Sequence, residues 1–160
     1  MNSTFKLASF LGSPFVDGEE SEKFVFTSKE KVELYQLAYK NKIGLFFLQC
    51  LKDIGELSPQ LEDNYAEDMD RFTETTKTAV FLSSKLKNIT SDFAIFKFLK
   101  PYPHTPSDVD VLFFLPKDEY FETVDCLLKD SYYKIGECPS QVVVYDLRGG
   151  VKQMDTRVVE

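Results

Sequence analysis

The chain has 160 residues, 43% hydrophobic, 14% aromatic and 28% charged, with a formal net charge of −7. That length suits one domain with a sizeable core, and the aromatic content argues against global disorder. The acidic balance argues against a broad basic surface for nucleic acid, and no apolar run approaches the roughly 20 residues of a membrane span.

Residues 1–26 show no clear periodicity and are expected to form an irregular leading segment, with the acidic run from Asp17 to Glu22 a solvated loop. The opening MNSTFKLASFLGSPF carries one lysine and a short apolar stretch cut by Gly12 and Pro14, with no A-x-A site, which makes a poor signal peptide. Thr27 or Ser28 then offers an N-cap. Apolar residues at Val32, Leu34, Leu37, Ala38, Ile43, Leu45, Phe46, Leu48 and Leu51 follow helical spacing, with a break predicted near Lys40 to Gly44 and an end at Ile54-Gly55. Ser58-Pro59 starts a further helix predicted to reach about Lys87, since proline suits the first helical position. The acids Glu62, Asp63, Glu67, Asp68 and Asp70 read as a solvated helix face in preference to a metal cluster. Residues 27–90 are thus expected to be N-terminal helices.

After Asn88 the pattern turns to strands. FAIFKFL (Phe93 to Leu99) and VDVLFFL (Val109 to Leu115) are rich in aromatic and branched residues. Pro116 to Asp130 reads as a helix, with Phe121, Val124, Leu127 and Leu128 on one face; SYYKIGE reads as a short strand. QVVVYDL and VKQMDTRVV read as two strands joined near Arg148-Gly149-Gly150. Residues 91–160 therefore form a core of strands with a helix, and the whole predicts an α+β or mixed-sheet α/β domain. An apolar strand reaching Glu160 points to a native chain longer than these residues. Cys50, Cys126 and Cys138 are widely spaced and form no C-x-x-C pair. Cys50 and Cys126 sit in apolar helical patterns and are expected to be buried thiols, which fits a reducing cytoplasm.

The second strand opens with Ser107-Asp108-Val109-Asp110. Alternation along a strand puts Asp108 and Asp110 on one face, with Val109, Val111 and Phe113 on the other. Neighbouring carboxylates raise one another's pKa, and a divalent cation removes that penalty. Mg²⁺ takes hard oxygen ligands and keeps room for substrate phosphates. D-x-D at a strand start is therefore a platform for phosphate chemistry, against the bland reading of a solvent-facing strand end. His104 is the only histidine, which excludes a multi-histidine metal site; it reads as a solvated loop residue or a phosphate contact. No G-x-G-x-x-G and no P-loop signature occurs.

The order of helix, strand, proline-rich loop, D-x-D strand and helix resembles the nucleotidyltransferase superfamily that includes DNA polymerase β, and most of all its uncharacterised bacterial and archaeal members. The matching parts are Phe96-Lys97, Tyr102-Pro103 and Asp108-Val109-Asp110-Val111-Leu112, with LYQLAYKNKIGLFFLQCLKDIG similar to the family's leading helix pair. The resemblance covers most of residues 30–160 and implies transfer of a nucleotidyl group from an NTP to a hydroxyl acceptor, with release of pyrophosphate, by two-metal chemistry with Mg²⁺ or Mn²⁺. It also implies a third carboxylate from a later strand, for which Asp155 is the choice, lying antiparallel beside the pair, and Asp146 the reserve; Asp146 alone reads as a turn residue. One departure stands out: the family's glycine pair, about ten residues before the first aspartate, is replaced by Lys97-Phe98-Leu99. Lys97 and Lys100, with Ser107, are then the candidate phosphate contacts. The alternatives are a non-catalytic module that kept the fold, binding a nucleotide or a protein partner, and a metal-dependent phosphohydrolase.

Overall fold

Helices fill the first part of the chain and a mixed sheet the second, an α+β arrangement. The computed structural model describes residues 2–12, 24–96, 100–105, 108–129, 132–146 and 153–158. The chain divides into two units, Met1–Phe72 with Lys100–Thr105, and Thr73–Leu99 with Pro106–Glu160.

The first unit contains α1 (Ser3–Leu11), α2 (Ser28–Lys40), α3 (Gly44–Asp53) and the start of α4 (Pro59–Lys87). Its core joins Leu7, Phe26, Leu34, Ala38, Phe47, Leu48, Leu51 and Leu61. Thr27 begins α2 with a capping box: its hydroxyl accepts from Glu30 N, and Glu30 accepts from Thr27 N at 3.0 Å. The predicted break between α2 and α3 is present. Lys42 takes a left-handed φ of 60°, and Ile43 N donates to Ala38 O. Gly44 follows, where a Cβ would meet Tyr39 Cα at 3.3 Å, a tight approach that favours glycine where α3 begins against α2. Among buried charges, Lys31 donates to Glu56 Oε2 at 2.5 Å and to Glu56 O at 2.8 Å.

α1 corrects the expectation of an irregular leading segment. Asn2 caps it by accepting from Thr4 N at 3.0 Å, and Gly12, at φ +60°, closes it by donating to Ala8 O. Leu7 is buried, and Phe10 packs edge-on against Phe24, Phe26 and Phe47. Leu7, Phe10 and Leu11 do follow helical spacing, but one helix of nine residues is too short to show a repeat.

The second unit contains the rest of α4, then β1 (Phe93–Phe96), β2 (Asp108–Phe113), α5 (Lys117–Leu128), β3 (Tyr132–Cys138), β4 (Gln141–Asp146) and β5 (Gln153–Val158). The strands lie in the order β1-β2-β5-β4-β3. Val109, Val111 and Phe113 on β2 pack with Ala79, Leu82 and Leu86 of α4 and with Tyr120, Val124 and Leu127 of α5. The Tyr120 hydroxyl lies 2.9 Å from Thr156 Oγ1, which in turn donates to Val142 O at 2.7 Å, tying α5 to β5 and β4. The β4–β5 hairpin forms as expected, with Gln141 opposite Arg157 and Tyr145 opposite Gln153; its turn at Arg148-Gly149-Gly150 lies outside the described residues.

β5 runs parallel to β2, which corrects the antiparallel expectation. The reason is topological. α5 carries the chain back so that β3 takes the direction of β2, and two successive antiparallel pairings, β3–β4 and β4–β5, return β5 to it.

The thiols differ from expectation. Cys50 is half-buried, and burial pushes its thiol up to about 11. Cys126 is exposed, because Tyr120, Thr123, Val124 and Leu127 carry the buried face of α5 and position 126 falls off it. Among the described residues no helix is long and apolar enough to cross a membrane.

Candidate functional site

β2 has a neighbour on each side, β1 antiparallel and β5 parallel. A strand in that position buries both faces unless one is kept polar. Val109, Val111 and Phe113 are at most 1% exposed, while Asp108 is half-buried and Asp110 is 9% exposed on the alternate positions. The two aspartates therefore share one side of the strand, opposite the apolar core, as their spacing predicts.

The register sharpens the picture. Asp110 is the Cα partner of Phe96 on β1 and of Asp155 on β5, and Asp108 is the partner of Gln153. The third predicted acid thus occupies the position directly across from the second, on an adjacent strand. Its carboxylate lies outside the described side chains, as do Lys97 and Ser107 altogether. Asp146 ends β4 opposite Tyr132, so it is a strand residue and not the expected turn. β4 does not pair with β2, which leaves Asp155 as the acid whose strand adjoins the pair. Among the described residues no group of three or more His, Cys, Asp or Glu side chains forms a ready metal cage.

Lys100 belongs to the first unit, where its ammonium sits 5.7 Å from the centre of the Tyr102 ring. His104, in the same segment, is 5% exposed and not solvated as expected. Its ring lies 6.4 Å from those of Phe72 and Tyr102. Burial, and then the charge of Lys100, lower its pKa, so it is neutral at pH 7.

Asp68 overturns part of the solvated-face reading of α4. Glu62, Asp63, Glu67 and Asp70 are exposed, but Asp68 is 3% exposed. Its carboxylate accepts from the hydroxyls of Thr105 and Tyr35, and desolvation raises its pKa above the usual aspartate value. A run of acids hides the one member that faces inward, because charge alone does not report helix phase.

No protein-family model, curated protein or solved structure matches this chain.

Proposed function

We propose that the second unit is a nucleotidyltransferase-like module that binds a divalent cation and an NTP at Asp108, Asp110 and Asp155. The observation that carries this reading is the register of β2 and β5, which gathers Asp110 and Asp155 at paired positions beside Asp108. Carboxylate oxygens suit Mg²⁺ or Mn²⁺, and acids brought this close favour a cation among them. When bound, such an ion lowers the pKa of an attacking hydroxyl and offsets triphosphate charge.

The residues then have distinct tasks. Asp108 and Asp110 hold the cation from one strand. Asp155 accepts the proton of the acceptor hydroxyl, whose oxygen bonds to the α-phosphorus as the bond to pyrophosphate breaks. Lys97 and Ser107 contact the phosphates. Alignment of acceptor and leaving group supplies much of the rate. The setting is a reducing cytoplasm, consistent with three free cysteines.

A specific observation supports a second reading, a non-catalytic nucleotide-binding module with a protein partner: no glycine occurs between Gly55 and Gly136. Backbone N–H groups in glycine turns are a common cradle for phosphate. Incubation with labelled NTPs and Mg²⁺ or Mn²⁺ separates the readings. Pyrophosphate release supports transfer, free phosphate supports hydrolysis, and binding with neither product supports the module.

A further inference from the structure

The first unit holds a cavity of about 320 Å³ that the nucleotidyl chemistry does not use. Tyr35, Tyr39 and Lys40 of α2 line it together with Asn64, Asp68 and Arg71 of α4. A spacing of four puts Tyr35 and Tyr39 on one face of α2, with Lys40 at its edge, and spacings of four and three put Asn64, Asp68 and Arg71 on one face of α4. The tyrosine rings are tilted with centres 6.0 Å apart, and Gly44 packs behind them, 3.4 Å from each ring if it carried a Cβ.

The two ends of the cavity differ in charge. Tyr35 bonds to Asp68 and Asn64, which makes one end acidic. Arg71 bonds to Tyr39, next to Lys40, which makes the other end basic. Asp68 and Arg71 are three residues apart on α4, and Tyr35 and Tyr39 four apart on α2, a rise of roughly 5 Å along each helix. Glu67 pairs with Arg71 and balances one of the two bases.

The Asp68 carboxylate is only partly satisfied within the protein. One carboxylate oxygen, Oδ2, is sealed from solvent and has no hydrogen-bond partner among the described residues. A carboxylate kept only for packing is normally satisfied at both oxygens. Burial and the Asp68 charge push the Tyr35 hydroxyl up to about 12, so it remains a donor and holds Asp68 in place.

We propose that this cavity binds a small zwitterion, with its ammonium on Asp68 and its acid group on Lys40 and Arg71. A plain cation is disfavoured by the two bases in the wall, and a plain anion by the buried Asp68 beside Glu67. The tyrosine faces add cation–π attraction for the ammonium.

The test is calorimetric titration of the full chain with γ-aminobutyrate, whose charged ends span about one helical turn, against n-butylamine and butyrate. The proposal expects saturable γ-aminobutyrate binding, about tenfold tighter than either singly charged analogue, and about tenfold weaker in Asp68→Asn and in Lys40→Ala. No saturation by ~50 mM, equal binding of n-butylamine, or wild-type affinity in both variants overturns it. Should Asp68→Asn fail to fold, Lys40→Ala decides alone, since Lys40 is exposed and its loss leaves the helix intact.

Discussion

Each unit buries an aspartate, Asp68 in the helical unit at 3% exposure and Asp110 in the sheet unit at 9%, and the two differ in what surrounds them. Asp68 sits among donors: the hydroxyls of Tyr35 and Thr105 point to it, and Arg71 lies near enough to lower its pKa. Asp110 has Asp108 two residues away along its strand and Asp155 across the register. Neutral donors stabilise a buried carboxylate within the protein itself, whereas gathered acids favour a cation from outside. Similar burial therefore goes with donor hydroxyls around the carboxylate in one unit and with acids at neighbouring strand positions in the other.

The largest effect that sharpens this contrast is on the helical core itself. Phe47→Ala, at a fully buried side chain, should cost about 3–5 kcal/mol by chemical denaturation. A loss below about 1 kcal/mol would mean that this core can collapse around the gap.

Asp68→Ala comes next. It strands the Tyr35 and Thr105 hydroxyls and should cost about 1–3 kcal/mol. Asp110→Ala without added metal should cost less, because it also relieves repulsion from Asp108. Equal costs in the same denaturant series would erase the distinction between the two sites.

Tyr120→Phe breaks the bond to Thr156 and should cost about 1 kcal/mol, without altering any cation response. The smallest effects are those of pH. Glu30, in the capping box and bonded to Lys6 at 2.6 Å, has its pKa lowered from 4.5 to about 2, first by Lys6 and then by Thr27. Its contribution is complete above about 4.5 and is lost as pH falls toward 2. Asp68 has the opposite sign: its raised pKa means that the folded state takes up its proton first, so acid relieves a penalty there. Glu30→Gln should flatten the acid loss of stability, and Asp68→Asn should steepen it; the reverse slopes in pH-dependent melting would refute both assignments.

Much of this was legible in the residues. The proline at the start of α4, the glycine at the end of α3 and the apolar spacing of α2, α3 and α5 set those helices where they lie. The i, i+2 aspartates in an apolar run placed Asp108 and Asp110 on one side of a strand. What was not legible depends on contacts between distant residues. The direction of β5 follows from the crossover and two hairpin reversals, none of which leaves a mark inside Gln153–Val158. The burial of His104 against Phe72 and Tyr102 joins residues far apart in the chain. Asp68 looked like its acidic neighbours until helix phase turned it toward Tyr35.

The most direct test of the central claim is thermal unfolding with Mg²⁺, and then with Mg²⁺ and an NTP, in wild type and in the Asp108→Ala, Asp110→Ala double variant. Ligands that bind only the native state stabilise it by about 2.7 kcal/mol at a hundredfold excess over Kd. The account predicts a stepwise rise in Tm for wild type, lost in the double variant and kept in Asp68→Asn. A rise that survives unchanged in the double variant would place the cation elsewhere and contradict the account.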